Sequence, residues 1–175
     1  MHTDLEGLSA VVLGGTKGIG RAAVAKLARC GASVVIQGRD AKAAQALIDE
    51  LKDHRGMRLF VESDLLTYDG IDEAVRVAKT SFGKVDVVVA SGGPKEPRPK
   101  LFVDTSPEEG IATIESRLMP RLHALHASVR YMREQGYGKV ILLTTDAARI
   151  PTPAESMIGA AGAVVMSLTR SLAQE

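Results

Sequence analysis

The sequence predicts an α/β fold in which a doubly wound parallel sheet lies between two layers of helices. Short β-branched runs alternate with longer segments of helical periodicity along the chain. The short runs are apolar on both faces, as in parallel strands that helices cover on two sides. Right-handed crossovers place such helices on alternate faces as the strand order reverses. The 175 residues suit a single domain, residues 1–175.

Strands and helices are predicted in strict alternation. The strands are the apolar runs Ala10–Leu13, Ser33–Gln37, Leu59–Val61, Val85–Ala90 and Val140–Thr144. The helices are the longer segments Ile19–Arg29, Ala41–Asp53, Gly70–Phe82, Pro107–Gln135 and Ser156–Glu175. Each strand is thus followed by a helix, which is the repeat of a three-layer α/β/α fold.

Local signals support several helix boundaries. Gly31 follows the first helix, where glycine commonly ends one. Asp40 precedes the second as its N-cap. "TSPEEG", which begins at Thr105, supplies an N-cap, then Pro107 at the first helical position and glutamates at the positive end of the helix dipole. The last helical pattern has no stop signal, so we expect the domain to be incomplete at its C-terminus.

Charge and composition narrow the class of function. The chain has 22 Lys and Arg against 21 Asp and Glu, so no basic excess favours nucleic acid. The longest apolar run, Met157–Met166, is about half of what a membrane span needs, and the N-terminus has no signal-peptide pattern. A single cysteine, Cys30, agrees with a reducing compartment. We therefore expect a cytoplasmic protein with a small-molecule substrate and with no nucleic-acid or membrane partner.

A glycine turn, "VVLGGTKGIG" at residues 11–20, joins the first strand to the first helix. Gly14, Gly18 and Gly20 permit a tight turn, the near approach of a ligand and close packing of helix on strand. The amides and the dipole at the start of the helix favour an anion such as a pyrophosphate. In this strand–turn–helix context the pattern is typical of a dinucleotide site.

Proline-bearing segments follow two later strands. They are "SGGPKEPRPKLF", residues 91–102, and "DAARIPTPAES", residues 146–156. Ligands of open α/β sheets bind outside the carboxyl ends of the strands. Both segments are therefore predicted to form walls of a site.

Motifs at these strand ends resemble the short-chain dehydrogenase/reductase family across essentially the whole chain. "LGGTKGIG" matches its Thr-Gly-x-x-x-Gly-x-Gly pattern, with Leu13 in the threonine place, and "SDLL" matches its adenine-binding aspartate as Asp64. "DVVVASGG" occupies the place of its Asn-Asn-Ala-Gly strand end. "GYGKVILLTT" and "SLTRSLAQE" match the segments around its catalytic serine and tyrosine. The resemblance implies a Rossmann-like fold that binds a nicotinamide dinucleotide.

Basic residues at two places favour NADP(H). NAD-specific sites usually end the second strand with a carboxylate that binds the ribose hydroxyls and would repel a 2′-phosphate. Here that strand ends "VVIQGRD", with Arg39 near the expected phosphate and Lys17 in reach from the glycine turn. The alternative is that both are solvated surface charges. The predicted cofactor-binding residues are Gly14, Thr16, Lys17, Gly18, Ile19, Gly20, Arg39, Asp64, Leu65, Ser91 and Gly92.

The family's catalytic residues are largely replaced. Counting back from "SLAQE", the tyrosine place falls on Ile158 and the lysine place on Gly162. The serine place falls on Thr145 and the asparagine place on Arg117. Ile158 has no proton to give, and no lysine follows Lys139. The resemblance therefore implies that the family's ordinary alcohol–ketone mechanism does not operate here.

Three residues are the predicted catalytic substitutes: Thr145, Arg117 and Asp146. Thr145 keeps a hydroxyl, while Asp146 and Glu155 lie in the proline-bearing loop and can act as acids. Arg117 is a fixed cation that can grip a substrate carboxylate or stabilise an enolate-like oxygen. In the alternative interpretation Asp146 caps a turn and Arg117 pairs with Glu115 or a neighbouring residue.

Three functions stay open at this point. We favour an NADP(H)-dependent oxidoreductase with an atypical active site. The others are a dinucleotide-binding assembly or sensor protein without catalysis, and a lyase or isomerase on the same fold. His123 and His126 have no evident third ligand, so no metal site is predicted. The resemblance implies a homodimer or homotetramer formed through residues 107–135 and 156–175.

Overall fold

A five-stranded parallel sheet organises the computed structural model, which describes residues 4–94 and 96–175. The strands are β1 (Ser9–Leu13), β2 (Ser33–Gly38), β3 (Arg58–Glu62), β4 (Val87–Ala90) and β5 (Lys139–Leu142). The helices are α1 (Gly18–Arg29), α2 (Ala41–Glu50), α3 (Tyr68–Phe82), α4 (Pro107–Gln135) and α5 (Ser156–Leu172). The predicted fold class is confirmed.

The strand order β3-β2-β1-β4-β5 reverses next to the central strand β1. Val11 of β1 lies beside Val35 of β2 on one side and Val88 of β4 on the other. The chain first adds strands outward from β1 to β3 and then returns to add β4 and β5. Such a reversal opens a crevice at the carboxyl ends of β1 and β4, where ligands of doubly wound sheets bind.

Two apolar clusters cover the two faces of the sheet. On one face, Val12 of β1 packs with Val24 of α1 and Leu47 of α2. On the other face, Val11 packs with Ile71 of α3 and Ala124 of α4. Helix α5 packs along α4. Burial on both faces explains why β1 and β2 are continuous apolar runs in the sequence.

Helix ends follow the capping signals in the sequence. Ser106 and Glu109 form a capping box at the start of α4, in which the Glu109 amide donates to Ser106 Oγ at 3.2 Å and the Ser106 amide donates to Glu109 Oε2 at 3.0 Å. Asp40 Oδ1 accepts from the Ala43 amide at 2.9 Å and so caps α2, as predicted. No helix among the described residues combines the length and the apolar surface that crossing a bilayer would need.

Strand β5 is shorter at its carboxyl end than the predicted strand, which reached Thr144. The Leu143 amide still donates to the Ala90 carbonyl of β4, at 3.0 Å. The Leu143 carbonyl, however, accepts from Nε and Nη2 of Arg121 at 3.1 and 2.9 Å. A side chain of α4 therefore occupies the acceptor at the end of the strand, and this contact positions α4 against the site.

Candidate active site

The glycine turn after β1 packs directly against the backbone at the end of β4. Gly14 has a φ of +72°, and a Cβ atom there would overlap Cα of Gly92 and lie 2.7 Å from its nitrogen. A Cβ atom at Gly20 would overlap the Gly14 carbonyl oxygen and lie 2.9 Å from its carbonyl carbon. Ser91 Oγ donates to the Leu13 carbonyl at 3.0 Å and ties the two strand ends together. Backbone contact therefore requires glycine at both positions.

Gly18 faces open space instead. Its φ is +54°, and a Cβ atom there would meet nothing within 4 Å. Lys17 stands at the N-cap of α1 without a side-chain cap bond among the described residues, so the first amides of the helix have no side-chain acceptor. Ile19 lies exposed in the same turn. These features leave a helix N-terminus open to an anionic ligand.

The predicted phosphate-binding cations lie at the carboxyl edge of the sheet, each facing an acidic side chain. Lys17 Nζ lies 2.7 Å from Asp40 Oδ2, and Arg39 Nη1 lies 4.0 Å from Asp64 Oδ2. The Lys17 contact, followed by the Ala43 amide, lowers the pKa of the Asp40 carboxyl. The Lys17 and Arg39 side chains are 75% and 72% exposed. Exposed ion pairs of this kind are weak and exchange readily for other partners.

The other predicted cofactor residues lie near the same carboxyl edge of the sheet. Asp64 Oδ1 accepts from the Leu66 amide at 3.0 Å. The Leu65 side chain packs on Gly92, since a Cβ atom at Gly92 would lie 2.7 Å from Leu65 Cδ2. Thr16 is buried, with its methyl group 2.8 Å from the position of a Cβ atom at Gly38. The structure thus brings the predicted residues of four segments to one edge.

Gln37 joins the glycine turn to the end of β3, and the predicted site omitted it. Its side chain is fully buried. Its Oε1 accepts from the Gly14 amide at 3.0 Å, and its Nε2 donates to the Ser63 carbonyl at 2.7 Å. A polar residue at the end of an otherwise apolar strand was the signal in the sequence, because buried amides need hydrogen-bond partners.

A cavity of about 310 Å³ lies between the loop after β4, helix α4, the end of β5 and helix α5. Its lining includes two predicted catalytic residues, Arg117 and Thr145, together with Arg121, Glu155, Ile158 and Gly162. The third, Asp146, is exposed, opens the 3₁₀ turn Asp146–Ala148 and is not part of that lining. In the segment 91–102, Lys95 lies outside the described residues, and Gly93 and Pro99 contribute to the cavity wall.

Thr145 connects the strand end to the acidic wall of the cavity. Its Oγ1 donates to Glu155 Oε2 at 3.3 Å and accepts from the Ala147 amide at 3.2 Å. The 3₁₀ turn is therefore capped by Thr145 rather than by Asp146. The hydroxyl is held by the chain's own groups at the position where the resemblance implies a substrate contact.

Two arginines one helical turn apart reach the cavity from α4. Arg117 does not pair with Glu115; its Nη1 donates to the Pro94 carbonyl and its Nη2 to the Pro97 carbonyl, the latter at 2.8 Å. Burial, and then the charge of Arg117, lower the pKa of the Arg121 guanidinium. Arg121 was missed in the sequence, although its spacing of four residues from Arg117 puts both on one face of the helix.

The place of the family's lysine has no room for a side chain. A Cβ atom at Gly162 would lie 2.8 Å from Thr144 Oγ1 and 2.9 Å from Ala148 Cβ. Ile158, one turn earlier, presents an aliphatic side chain to the same cavity. Among its described lining residues, arginine, threonine and glutamate supply the polar side chains.

His123 and His126 lie away from this cavity and pack against Tyr68 of α3. The Tyr68 hydroxyl lies 3.0 Å from His126 Nδ1, and both imidazole rings meet the tyrosine ring edge-on. Burial, and then the charge of His126, lower the pKa of His123. The pair forms part of the contact between α3 and α4.

Comparison with known proteins places this geometry in one family. The family model described as short chain dehydrogenase matches residues 9–175. An uncharacterized oxidoreductase of Staphylococcus epidermidis is 30% identical over 166 residues, which cover 95% of this chain and 70% of that protein.

Two solved structures at 25% identity are similar in fold to this chain. One is a 7α-hydroxysteroid dehydrogenase in complex with NADH and 7-oxo glycochenodeoxycholic acid, with a TM-score of 0.87 over 98% of this chain and 66% of the other. The second is an alcohol dehydrogenase of the archaeon Thermococcus sibiricus in complex with 5-hydroxy-NADP, with a TM-score of 0.84 over 94% of this chain and 69% of the other.

These relatives are longer than the chain, which spans 70%, 66% and 69% of their lengths. The family match nevertheless begins at β1 and runs through α5. It therefore includes the glycine turn, the cavity and every residue described above. The chain belongs to the short-chain dehydrogenase family, whose members are oxidoreductases that use nicotinamide dinucleotides.

Proposed function

We propose that the protein is an NADP(H)-dependent oxidoreductase with an atypical active site. The observation that carries the proposal is the pairing of an open helix N-terminus at Gly18 with the cations of Lys17 and Arg39 on the same edge. The similar solved structures contain NADH in one case and 5-hydroxy-NADP in the other, so the fold alone leaves the choice open. The two cations at the rim support NADP(H), because a 2′-phosphate dianion gains from both of them when it replaces their carboxylate partners.

The residues present fit such a cofactor. Gly18 leaves the space beside the first turn of α1 unfilled, and the unmatched amides there suit a pyrophosphate. Asp64 would meet the adenine, while Lys17 and Arg39 would exchange their exposed carboxylate partners for the phosphate. When bound, the dinucleotide supplies hydride chemistry, and the protein has to orient the substrate and stabilise charge.

The chain's own groups supply that stabilisation in an unusual way. Arg117 places a fixed cation in the cavity, where developing negative charge on an oxygen is stabilised. Thr145 has a hydroxyl at the serine place, and this hydroxyl donates a hydrogen bond to Glu155. Asp146 stays in the proposal as an exposed acid next to Thr145 in the sequence. A cytoplasmic location, which the single cysteine favours, belongs to the same proposal.

Arg39→Asp is expected to abolish or reverse the preference for NADPH over NADH. A charge-assisted contact to the phosphate contributes about 1.5–3 kcal/mol, or about 10- to 100-fold in the dissociation constant. Isothermal titration of both cofactors measures the ratio. Arg55→Asp is the matched control, because Arg55 precedes β3 at the opposite edge of the sheet and pairs with Asp4 there. A ratio that Arg39→Asp leaves unchanged would refute the role of Arg39.

The replaced tyrosine and lysine places favour a second candidate, a dinucleotide-binding assembly or sensor protein without catalysis. Ile158 offers no proton, and Gly162 has no room for a cation. This candidate shares cofactor binding with the first and differs in turnover. NADPH binding without oxidation of NADPH across a broad set of carbonyl and alkene substrates would favour it.

Assembly through α4 and α5 belongs to the proposal as well. Apolar side chains lie exposed along these helices, among them Ile111, Val129 and Val164, and an apolar surface of this kind is commonly covered by another subunit. We expect a homodimer or homotetramer by light scattering at micromolar concentration. Val164→Asp should shift the protein toward the monomer, and a monomeric unmutated protein would contradict the expectation.

A further inference from the structure

Two guanidinium groups lie close to Gly93 in the wall of the cavity. A Cβ atom at Gly93 would lie 3.4 Å from Nη1 of Arg121 and 3.9 Å from Nη1 of Arg117. Both side chains come from one face of α4, and both belong to the lining of the 310 Å³ cavity. Two like charges held so close destabilise each other unless an anion lies between or beside them.

Neither guanidinium finds a carboxylate among the described residues. Within residues 4–94 and 96–175, no Asp or Glu oxygen lies within 4.0 Å of a nitrogen of Arg117 or Arg121. Their hydrogen bonds go to the backbone carbonyls of Pro94, Pro97 and Leu143. A carbonyl dipole compensates the full charge of such a half-buried guanidinium only in part.

Each arginine also keeps one buried nitrogen without an acceptor. Nε of Arg117 and Nη1 of Arg121 are inaccessible to solvent and have no hydrogen-bond partner in the described part of the chain. Buried donors of charged groups are normally paired, because an unpaired one costs the desolvation of that group. The pair of arginines therefore carries charge that a ligand can compensate, together with two donors that the described residues leave unpaired.

The charge of the cavity sets the charge of that ligand. Glu155 is the acidic residue of the lining, and it already accepts from the Thr145 hydroxyl. Two guanidiniums and one carboxylate leave a single positive charge uncompensated, which suits a monoanion better than a phosphate dianion. The guanidinium fork matches a carboxylate in shape. A volume of 310 Å³ is at the small end of the range for ligand pockets.

We propose that the substrate is a small carboxylic acid, with Arg117 and Arg121 binding its carboxylate. This inference rests on the proposed oxidoreductase function, since it names the substrate class of the same site. The carboxylate lies on the α4 side of the cavity, and Thr145 lines the cavity from the end of β5. Arg121 is accordingly a substrate-binding residue, in addition to joining α4 to the end of β5 through the Leu143 carbonyl.

Matched acid and ester pairs test the proposal by isothermal titration without cofactor. The probes are pyruvate, acetoacetate and levulinate, each beside its methyl ester, with inorganic phosphate as the dianion. We expect at least one acid to bind about tenfold or more tightly than its ester, and more tightly than phosphate. Equal binding of acid and ester in all three pairs, no binding of any acid at millimolar concentration, or tighter binding of phosphate would each overturn the proposal.

Variants assign the binding to the arginines. Arg121→Met should weaken the preferred acid about tenfold or more and leave its ester unaffected, while Arg121→Lys should restore part of the affinity. Arg133→Met is the control, because Arg133 lies in the last turn of α4 and outside this cavity. Circular dichroism checks folding, and Arg117→Met replaces Arg121→Met if that variant unfolds. Unchanged acid affinity in both methionine variants would overturn the proposal.

A parallel NADPH titration separates this proposal from the oxidoreductase function. Acid binding that depends on the arginines in a protein without NADPH affinity would refute the oxidoreductase and retain the anion site. NADPH binding in a protein that does not discriminate acid from ester would refute the anion site alone.

Discussion

No measurable NADPH-dependent reduction of simple ketones such as cyclohexanone and acetophenone is expected from the unmutated protein. Acid–base catalysis by a tyrosine and lysine pair contributes about 10²–10⁴-fold, and here Ile158 and Gly162 line the cavity in its place. Absorbance of the reduced nicotinamide measures the rate, beside a family member that has the pair. Turnover of any substrate that the protein does reduce should fall in alanine variants of Arg117, Thr145 and Asp146.

Restoring the pair is not expected to restore the reaction. In Ile158→Tyr with Gly162→Lys, the new lysine Cβ would lie 2.8 Å from Thr144 Oγ1 and 2.9 Å from Ala148 Cβ. Overpacking of this kind costs about 1–3 kcal/mol and displaces the strand end that carries Thr145. Ile158→Tyr alone is the control for folding. Robust ketone turnover in the unmutated protein that survives alanine at Arg117, Thr145 and Asp146 would contradict the assignment of Ile158 and Gly162 to these places.

Gly20→Ala is expected to destabilise the protein strongly. A methyl group there would overlap the Gly14 carbonyl oxygen and Ser91 Oγ, so the backbone of the turn has to move. We expect a loss of about 3 kcal/mol or more in the free energy of unfolding, measured by urea denaturation.

Gly18→Ala is the matched comparison for that variant. Gly18 also lies in the turn, but a Cβ atom there meets nothing within 4 Å, so only its φ of +54° opposes alanine. That conformation costs about 1–2 kcal/mol. We expect a smaller loss of stability in Gly18→Ala and a weaker affinity for NADPH, because the methyl group enters the space left for the cofactor. Equal destabilisation by both alanines would contradict the close contact at Gly20.

The sequence predicted well those features that depend on local pattern. The N-cap before Pro107, the bounds of α4 and the glycine turn each rest on neighbouring residues, and the structure contains all of them. The sequence also predicted parallel strands that are buried on both faces, because the apolar runs of β1 and β2 have no polar face.

Features that depend on long-range contacts were harder to predict. Strand β5 ends earlier than predicted because Arg121 of helix α4 donates to the Leu143 carbonyl. Glu155 lines the cavity while Asp146 is exposed, a difference that the fold of the proline-bearing loop decides. Gln37 joins the glycine turn to the end of β3 because strand pairing brings the Gly14 amide and the Ser63 carbonyl within reach of its side chain.

Titrating the unmutated protein with NADPH and with NADH shows directly whether the carboxyl edge of the sheet forms a site for NADP(H). Lys17 and Arg39 are exposed at this edge and lie close to acidic partners that a phosphate can replace. We expect NADPH to bind about 10- to 100-fold more tightly than NADH, with a preference that shrinks as salt screens the charges. Equal dissociation constants for the two cofactors, or no binding of either, would contradict it.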